Sequence, residues 1–80
     1  MIDEFIIHLG KLLKQIRTER DLSQEEFACL LDIDRTYLAS IERGERNIAI
    51  RNLCKIARGI GCPLSQLIEQ VENKSLQQEE

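Results

Sequence analysis

The sequence is poor in the residues that build strands and tight turns. It contains no tryptophan, one tyrosine, two phenylalanines, one proline and four glycines in 80 residues. Aromatic residues are enriched in strands, and small sheet domains need many turns rich in glycine and proline. This scarcity favours helices with short connections. We therefore expect an all-α fold, and the length fits a single domain.

Signals for export, membrane insertion and disulfide formation are also missing. The first residues are acidic where a signal peptide needs cations, and the apolar run at residues 5–7 is far shorter than the ~20 residues of a membrane span. An odd number of cysteines, without a C-x-x-C motif, indicates neither a disulfide framework nor a zinc site. These cysteines are Cys29, Cys54 and Cys62. We expect a cytoplasmic protein with no membrane contact, metal or cofactor.

The charged residues are distributed unevenly along the chain. The net charge of −3 argues against a nucleic-acid partner, because phosphate binding is driven by cations. Residues 35–58, however, carry a net charge of +4, whereas residues 1–10 and 11–34 carry −2 each and residues 59–80 carry −3. One basic segment therefore lies inside an acidic chain, and it is the candidate site for an anionic partner.

Apolar periodicity and capping residues predict five helices. Their expected spans are from about Asp3 to Arg20, from Ser23 to about Leu31, from a cap at Asp34 to Gly44, from a cap at Asn47 to Gly59 or Gly61, and from Pro63 onward. The second helix opens with a Ser-x-x-Glu capping box, and only Asp32 and Ile33 separate it from the third. Asp32 is an acceptable residue for the left-handed conformation that such a turn needs. The domain is expected to occupy residues 1–72, and the polar residues 73–80 to form a frayed tail.

The third helix has an apolar face and a face of arginines and small residues. With ~100° per residue, Leu38, Ile41 and Tyr37 share the buried face. The opposite face carries Arg35, Thr36, Ala39 and Arg43, with Ser40 at its edge. Arginine can donate two hydrogen bonds to guanine, and a threonine methyl or an alanine can contact the thymine methyl, so this face suits a DNA major groove. The alternative is an ordinary solvated helix face.

The surroundings of this helix favour the DNA interpretation. Two separately capped helices joined by a very short turn have the layout of a helix-turn-helix. Arg46 and Asn47 follow in a loop, and Gln24 at the start of the second helix can approach a phosphate. Three basic residues then recur at helical spacing, namely Arg51, Lys55 and Arg58. This stripe either contacts phosphates or keeps an exposed face soluble.

Two segments of the sequence, LSQEEFA at residues 22–28 and DRTYLASIERGERN at residues 34–47, resemble the Cro/phage-repressor (XRE-like) helix-turn-helix family. The resemblance covers roughly Leu9 to Ile68. Within the family, the second segment looks most like the small controller proteins of restriction-modification systems, which are homodimeric regulators that bind palindromic sites upstream of their own genes. The resemblance implies a lambda-repressor-like fold. It also implies double-stranded DNA and a second copy of the chain as partners, with RNA polymerase as a further candidate partner.

The resemblance also assigns roles to single residues. Contacts to bases or the groove are expected from Arg35, Thr36 and Ser40, and the outward face of the third helix adds Ala39. Contacts to the DNA backbone are expected from Gln24, Arg43, Arg46 and Asn47, and the basic stripe of the fourth helix adds Arg51. Arg17 and Glu42 are expected to form a structural salt bridge, which stops an unpaired carboxylate from repelling phosphate. Among the departures from the family pattern, Asp32 replaces the usual turn glycine, and Ala49 stands where a serine or threonine often caps the fourth helix.

The dimer implied by the resemblance has candidate contacts on the fifth helix. They are Leu64, Ile68 and Val71, which can equally be part of the core of a single chain. An enzyme is excluded by inventory, because the chain has one histidine, no nucleophile beside a base and no glycine-rich phosphate loop. The rival function is a protein-interaction module, such as an antitoxin that uses the same fold to neutralise a partner.

Overall fold

The computed structural model describes the backbone of residues 3–78 and the side chains of residues 4–73. Residues 3–78 form five α-helices with short connections and contain no strand, which confirms the all-α prediction. The helices are α1 (Asp3–Glu19), α2 (Gln24–Leu31), α3 (Arg35–Glu42), α4 (Ile50–Ile60) and α5 (Leu64–Gln78). None of these described helices has the length and hydropathy that a membrane span requires.

One apolar core joins the five helices. α1 packs against α3 and α5, α2 packs against α3 and α4, and α4 packs against α5. The buried apolar side chains are Leu9, Leu12, Leu13, Phe27, Ala28, Leu31, Leu38, Ile41, Leu53, Ile56, Ala57, Leu67 and Val71. Each large aliphatic side chain contributes roughly 1.5–3 kcal/mol when it is removed from water. This packing fixes α3 with its apolar face inward and its other face toward solvent.

A glycine in α1 sets how closely α3 approaches. Gly10 is buried, and a Cβ atom at this position would collide with the carbonyl oxygen of Ile41 and lie 3.0 Å from the carbonyl oxygen of Glu42. Any side chain here would push the end of α3 outward. Gly10 therefore holds the C-terminal end of α3 against α1.

The predicted cap at Asn47 is wrong. α4 begins at Ile50, and Ala49 occupies the cap position with an extended backbone (φ −73°, ψ 152°) and no side-chain hydrogen bond. A capping side chain reaches the amides two or three residues after it, and Asn47 lies too early in the chain to reach them. Asn47 is instead exposed in the α3–α4 loop, residues 43–49.

α5 begins one residue after its predicted start, and its helical backbone extends into the predicted tail. Pro63 precedes the helix in the cap position, and its carbonyl oxygen accepts a hydrogen bond from the amide of Leu67 at 3.1 Å. The helical backbone continues to Gln78, past the domain boundary predicted at residue 72. No proline or glycine in residues 73–78 interrupts it. Residues 79 and 80 of the predicted tail lie outside the described residues.

The apolar stripe of α5 faces its own chain at its centre. Leu67 and Val71 are fully buried in the single chain because α5 packs on α1 and α4. The prediction that Val71 contacts a second copy is therefore wrong. Leu64 and Ile68 are only half-buried, so they retain apolar surface that a partner can cover.

Candidate nucleic-acid interface

The connection between α2 and α3 is a tight turn built from two aspartates. Asp32 adopts the left-handed conformation predicted for it (φ 61°), and its amide donates to the carbonyl oxygen of Cys29 at 3.2 Å. Asp34 caps α3, because its carboxylate accepts a hydrogen bond from the amide of Thr36 at 2.9 Å. Lys55 of α4 donates from Nζ to the carbonyl oxygen of Asp32 at 3.3 Å. The turn and the start of α3 are therefore fixed by local bonds and by α4.

The start of α2 carries the predicted capping box. The hydroxyl of Ser23 accepts from the amide of Glu26 at 3.0 Å, and the carboxylate of Glu26 accepts from the amide of Ser23 at 2.9 Å. These bonds satisfy two amide groups that a helix start otherwise leaves without partners. Gln24, the first helical residue, is thereby held at the same end of α2.

The predicted salt bridge between α1 and α3 is present. Arg17 donates from Nε to Oε2 of Glu42 at 2.9 Å and from Nη2 to Oε1 at 3.1 Å, while its Nη1 donates to the carbonyl oxygen of Leu22 at 3.1 Å. Gln24 donates from Nε2 to Oε1 of Glu42 at 3.1 Å. Because the side chain of Glu42 is only 4% exposed and lies beside Arg17, its charge is compensated within the protein. This network ties α1, α2 and α3 together.

The outward face of α3 carries long side chains at its two ends and short ones between them. Arg35 and Thr36 are exposed at the first turn, Ala39 is half-buried one turn later, and Arg43 is exposed just beyond the last helical residue. Two long cationic side chains thus flank small ones. A helix with this profile can lie close to a partner surface while its arginines reach further along that surface.

Ser40 does not belong to this face. Ser40 is only 6% exposed, and its hydroxyl donates a hydrogen bond to the carbonyl oxygen of Tyr37 at 2.7 Å. The prediction of a groove contact by Ser40 is therefore wrong. The helical projection places it at the edge of the outward face, and the packing of the neighbouring helices covers that edge.

The α3–α4 loop places further cations beside α3. The guanidinium of Arg46 lies over the ring of Tyr37, with Cζ 5.3 Å from the ring centre. The hydroxyl of Tyr37 accepts a hydrogen bond from Nδ2 of Asn52 in α4 at 3.0 Å. Asn47 and Arg51 are exposed on either side of the start of α4. Arg46 thus attaches the loop to α3, and Tyr37 joins α3 to α4.

The three basic residues of the stripe predicted on α4 differ in their contacts. Lys55 is occupied at the α2–α3 turn, where Nζ also lies 3.8 Å from Oδ2 of Asp32. Arg51 and Arg58 remain exposed. Of the three cations, only Lys55 has a described structural contact that competes with a role at phosphates.

A shallow groove of about 470 Å³ opens between the starts of α2 and α3. Its lining residues are Arg17, Ser23, Gln24, Glu25 and Arg35. Helix starts expose amide groups and the positive end of the helix dipole, both of which favour anions. The predicted contacts Gln24 and Arg35 therefore meet on one surface, from two helices that the turn holds together.

Several contacts at this surface cannot be predicted from the sequence. The bonds of Gln24 to Glu42 and of Tyr37 to Asn52 join residues far apart in the chain, and no local pattern marks them. The pairing of Arg43 with Glu45, Nε to Oε1 at 3.0 Å, does have a local signal. That signal is the glycine between the two charged residues.

A family model described as Helix-turn-helix matches residues 13–67, more than half of the chain. The chain belongs to the helix-turn-helix family. Within this family it is similar to the controller proteins of restriction-modification systems, which confirms the resemblance found in its sequence. Its helix-turn-helix consists of α2, the turn at Asp32 and α3.

Two curated control proteins match this chain over most of their length. The control protein C.MunI of a Mycoplasma species is 46% identical over 74 residues, which cover 91% of this chain and 100% of that protein. The control protein C.BamHI of Bacillus amyloliquefaciens is 34% identical over 70 residues, which cover 86% of each chain.

Solved structures of controller proteins share the fold. The controller protein C.AhdI from Aeromonas hydrophila superposes with a TM-score of 0.69 and 35% identity over 78% of this chain and 94% of that chain. C.Esp1396I, solved as a tetramer in complex with its natural 35 base-pair operator, gives a TM-score of 0.78 and 30% identity. That match covers 90% of this chain and 95% of the other.

Proposed function

We propose that this helix-turn-helix protein is a sequence-specific transcription regulator. It acts in the cytoplasm as a homodimer on a pseudo-palindromic operator and controls its own gene within a restriction-modification system. The observation that carries the proposal is the outward face of α3, where Arg35 and Thr36 are exposed at the helix start. The similarity to control proteins over the whole domain supports the same role.

Base reading is assigned to the first turns of α3. The second helix of a DNA-binding helix-turn-helix places its N-terminal residues against base edges in the major groove. Arg35 can donate twice to one guanine, and the methyl group of Thr36 can contact the methyl group of thymine. Ala39 lets the helix lie close to the bases. Ser40 is removed from this set because its hydroxyl is used inside the protein.

Contacts to the DNA backbone are assigned to both flanks of α3. Gln24 retains one amide hydrogen beside its bond to Glu42, and it lies at the start of a helix where phosphate is favoured. On the other flank the exposed candidates are Arg43, Arg46, Asn47 and Arg51. Such contacts fix the position of α3 on the duplex without reading its sequence.

The contact with the second copy is assigned to apolar surface that remains exposed on a single chain. Leu64 and Ile68 are half-buried on α5, and Ile50 at the start of α4 is 63% exposed. The domain measures 34 × 25 × 24 Å. A domain of this size is compatible with a dimer whose α3 helices lie about one turn of DNA apart, roughly 34 Å. A symmetric dimer of this kind matches a palindromic operator.

Single substitutions at two arginines test this assignment. Arg35→Ala should weaken binding to the operator by ~1–3 kcal/mol and relax the preference at one base-pair position, because a base contact is lost. Arg46→Ala should weaken binding to all sequences alike and lower the slope of log K against log salt by about one, because a phosphate contact is lost. Fluorescence anisotropy with a set of singly substituted operators measures both effects. A uniform loss in Arg35→Ala would remove this residue from base reading.

A further inference from the structure

α1, which packs against α3, carries an exposed cation without an anionic partner. Lys14 is exposed, and among the described side chains it takes part in no hydrogen bond or ion pair. The residues three and four positions away, which are its neighbours on the helix surface, include no carboxylate. They are Gly10, Lys11, Arg17 and Thr18. The positive charge of Lys14 is therefore not compensated by its own helix.

Helix packing places Lys14 beside the end of α3. At ~100° per residue, Gly10, Lys14 and Arg17 lie within a ~60° arc of α1. Gly10 meets the last turn of α3, where the carbonyl oxygen of Ile41 leaves no room for a Cβ atom. Arg17 donates two hydrogen bonds to Glu42, the last residue of α3. Lys14 lies between these two contacts, so it leaves α1 at the edge that borders α3.

The carboxylates at the end of α3 are already engaged. Both oxygens of Glu42 accept hydrogen bonds from Arg17. Oε1 of Glu45 accepts a hydrogen bond from Nε of Arg43 at 3.0 Å. Lys14 is therefore available for an anion from outside the protein.

The edge that carries Lys14 borders the surface assigned to the DNA backbone. Gln24, a proposed phosphate contact, donates to the same carboxylate of Glu42 that Arg17 binds. Arg17 and Gln24 also line the groove of about 470 Å³ between the starts of α2 and α3. Arg43, a further proposed phosphate contact, directly follows Glu42 in the chain. Lys14 precedes Arg17 by about one helical turn, and it is therefore next to proposed contacts on both sides of Glu42.

We propose that Lys14 is a further phosphate contact, which extends the DNA-binding surface from the helix-turn-helix onto α1. The inference rests on the proposed function and deepens it. A lysine suits this position because its ammonium group lies on a flexible stem and binds phosphate as a point charge. Such a contact reads no sequence, so it strengthens binding to the operator and to other DNA alike.

The distribution of charge along the sequence does not reveal this contact. Lys14 belongs to residues 11–34, whose net charge of −2 argues against a role at phosphates. Folding places it beside the end of α3, which belongs to the segment of net charge +4, residues 35–58. The local surface at Lys14 is thus more basic than its segment of sequence.

The test measures the binding of Lys14→Gln to two duplexes across a salt series. One duplex carries the DNA upstream of the gene, and the other carries the same bases in scrambled order. The slope of log K against log salt should fall by about one for each subunit, and both affinities should fall about three- to tenfold per subunit at ~0.1 M salt. The melting temperature should not fall, because Lys14 has no described polar contact that supports the fold.

Lys11→Gln is the matched control for this variant. It removes the same charge at another exposed position of α1, three residues earlier. Lys11 lies ~100° around the helix from Gly10, so it points further from α3 than Lys14 does. Lys11→Gln should leave the salt slope unchanged and both affinities within twofold. An equal loss in the two variants would show that Lys14 acts only through the net charge of the protein and would overturn the proposal.

Uncharged phosphates identify the contact directly. In a set of upstream duplexes, one phosphate at a time is replaced by a methylphosphonate, which carries no charge. At one or more positions this replacement should weaken binding of the unchanged protein but not of Lys14→Gln, because the variant has no contact to lose there. If every replacement affects the two proteins equally, Lys14 does not contact a phosphate and the inference fails.

The same measurements distinguish this inference from the proposed function. If the unchanged protein prefers the upstream duplex and Lys14→Gln binds both duplexes as the unchanged protein does, the inference alone fails. If the unchanged protein does not distinguish the two duplexes, the proposed function fails, and the salt slope on the scrambled duplex still decides whether Lys14 contacts phosphate.

Discussion

At the scale of single residues, Glu42 shows how a carboxylate can lie behind the proposed DNA-binding face without repelling phosphate. Its oxygens accept hydrogen bonds from Arg17 and Gln24, and its side chain is 4% exposed. Removal of one member of a buried ion pair leaves the other charge without compensation, which costs several kcal/mol. The pair therefore holds α3 against α1 and also hides the negative charge.

The first prediction concerns this pair. Arg17→Ala and Glu42→Ala should each lower the free energy of unfolding by about 3 kcal/mol. The double variant should lose less than the sum of the two, by more than about 1 kcal/mol, because the second substitution removes the charge stranded by the first. Urea denaturation of the four proteins at pH 7 measures this coupling.

The exposed pair of Arg43 and Glu45 is the matched control for this comparison of single and double variants. Its side chains are 56% and 59% exposed, so its coupling should stay below about 1 kcal/mol. Additive losses at Arg17 and Glu42 would contradict the structural role given to the buried pair.

At the scale of elements, α4 begins without a capping side chain. Ala49 has the extended backbone of a cap residue, but no side chain accepts a hydrogen bond from the first turn. A serine or threonine in this position would accept one such bond. The start of α4 is thus a weak point next to a loop that carries proposed phosphate contacts.

The second prediction strengthens this helix start. Ala49→Ser should raise the free energy of unfolding by about 1 kcal/mol, because the new hydroxyl satisfies an amide of the first turn. Asn47→Ala should leave stability within about 0.5 kcal/mol and weaken DNA binding, because Asn47 does not cap. Thermal denaturation gives the stabilities. A loss of stability in Asn47→Ala equal to that of a lost cap would restore the capping role predicted from the sequence.

What the sequence can predict depends on how local the deciding interaction is. The capping box of Ser23 and Glu26, the cap at Asp34 and the turn at Asp32 depend on residues two to four apart, and their positions are confirmed. Arg17 and Glu42 lie 25 residues apart, and only resemblance to a family linked them.

The failed predictions concern burial set by neighbouring helices. Ser40 lies at the edge of the outward face in a helical projection, and packing covers that edge. Val71 shares an apolar stripe with Ile68, but only Val71 faces the core. Periodicity identifies a stripe and does not say which of its members meets another helix.

At the scale of the whole molecule, an acidic domain concentrates its positive charge in residues 35–58. That segment includes α3, the α3–α4 loop and most of α4. The acidic remainder disfavours contact with DNA by any other surface, so it limits non-specific binding. The proposed homodimer would double this basic surface.

The third prediction concerns the surface between the two copies. Ile50→Glu should shift the protein from dimer to monomer in analytical ultracentrifugation, because a carboxylate would enter an apolar contact. The variant should still fold, since Ile50 is 63% exposed in the single chain. Leu30→Glu is the matched control at an aliphatic residue that is 46% exposed on α2. If Ile50→Glu stays dimeric and Ile68→Glu does not, the contact lies on α5 alone.

The most direct test of operator binding is fluorescence anisotropy of the unchanged protein with two duplexes across a salt series. One duplex is the DNA upstream of its gene, and the other is a scrambled control. A sequence-specific dimer predicts at least ~10³-fold tighter binding to the upstream duplex, with a binding curve that steepens with protein concentration. Equal, weak and salt-sensitive binding to both duplexes would contradict the account and favour a protein-interaction module of the antitoxin type.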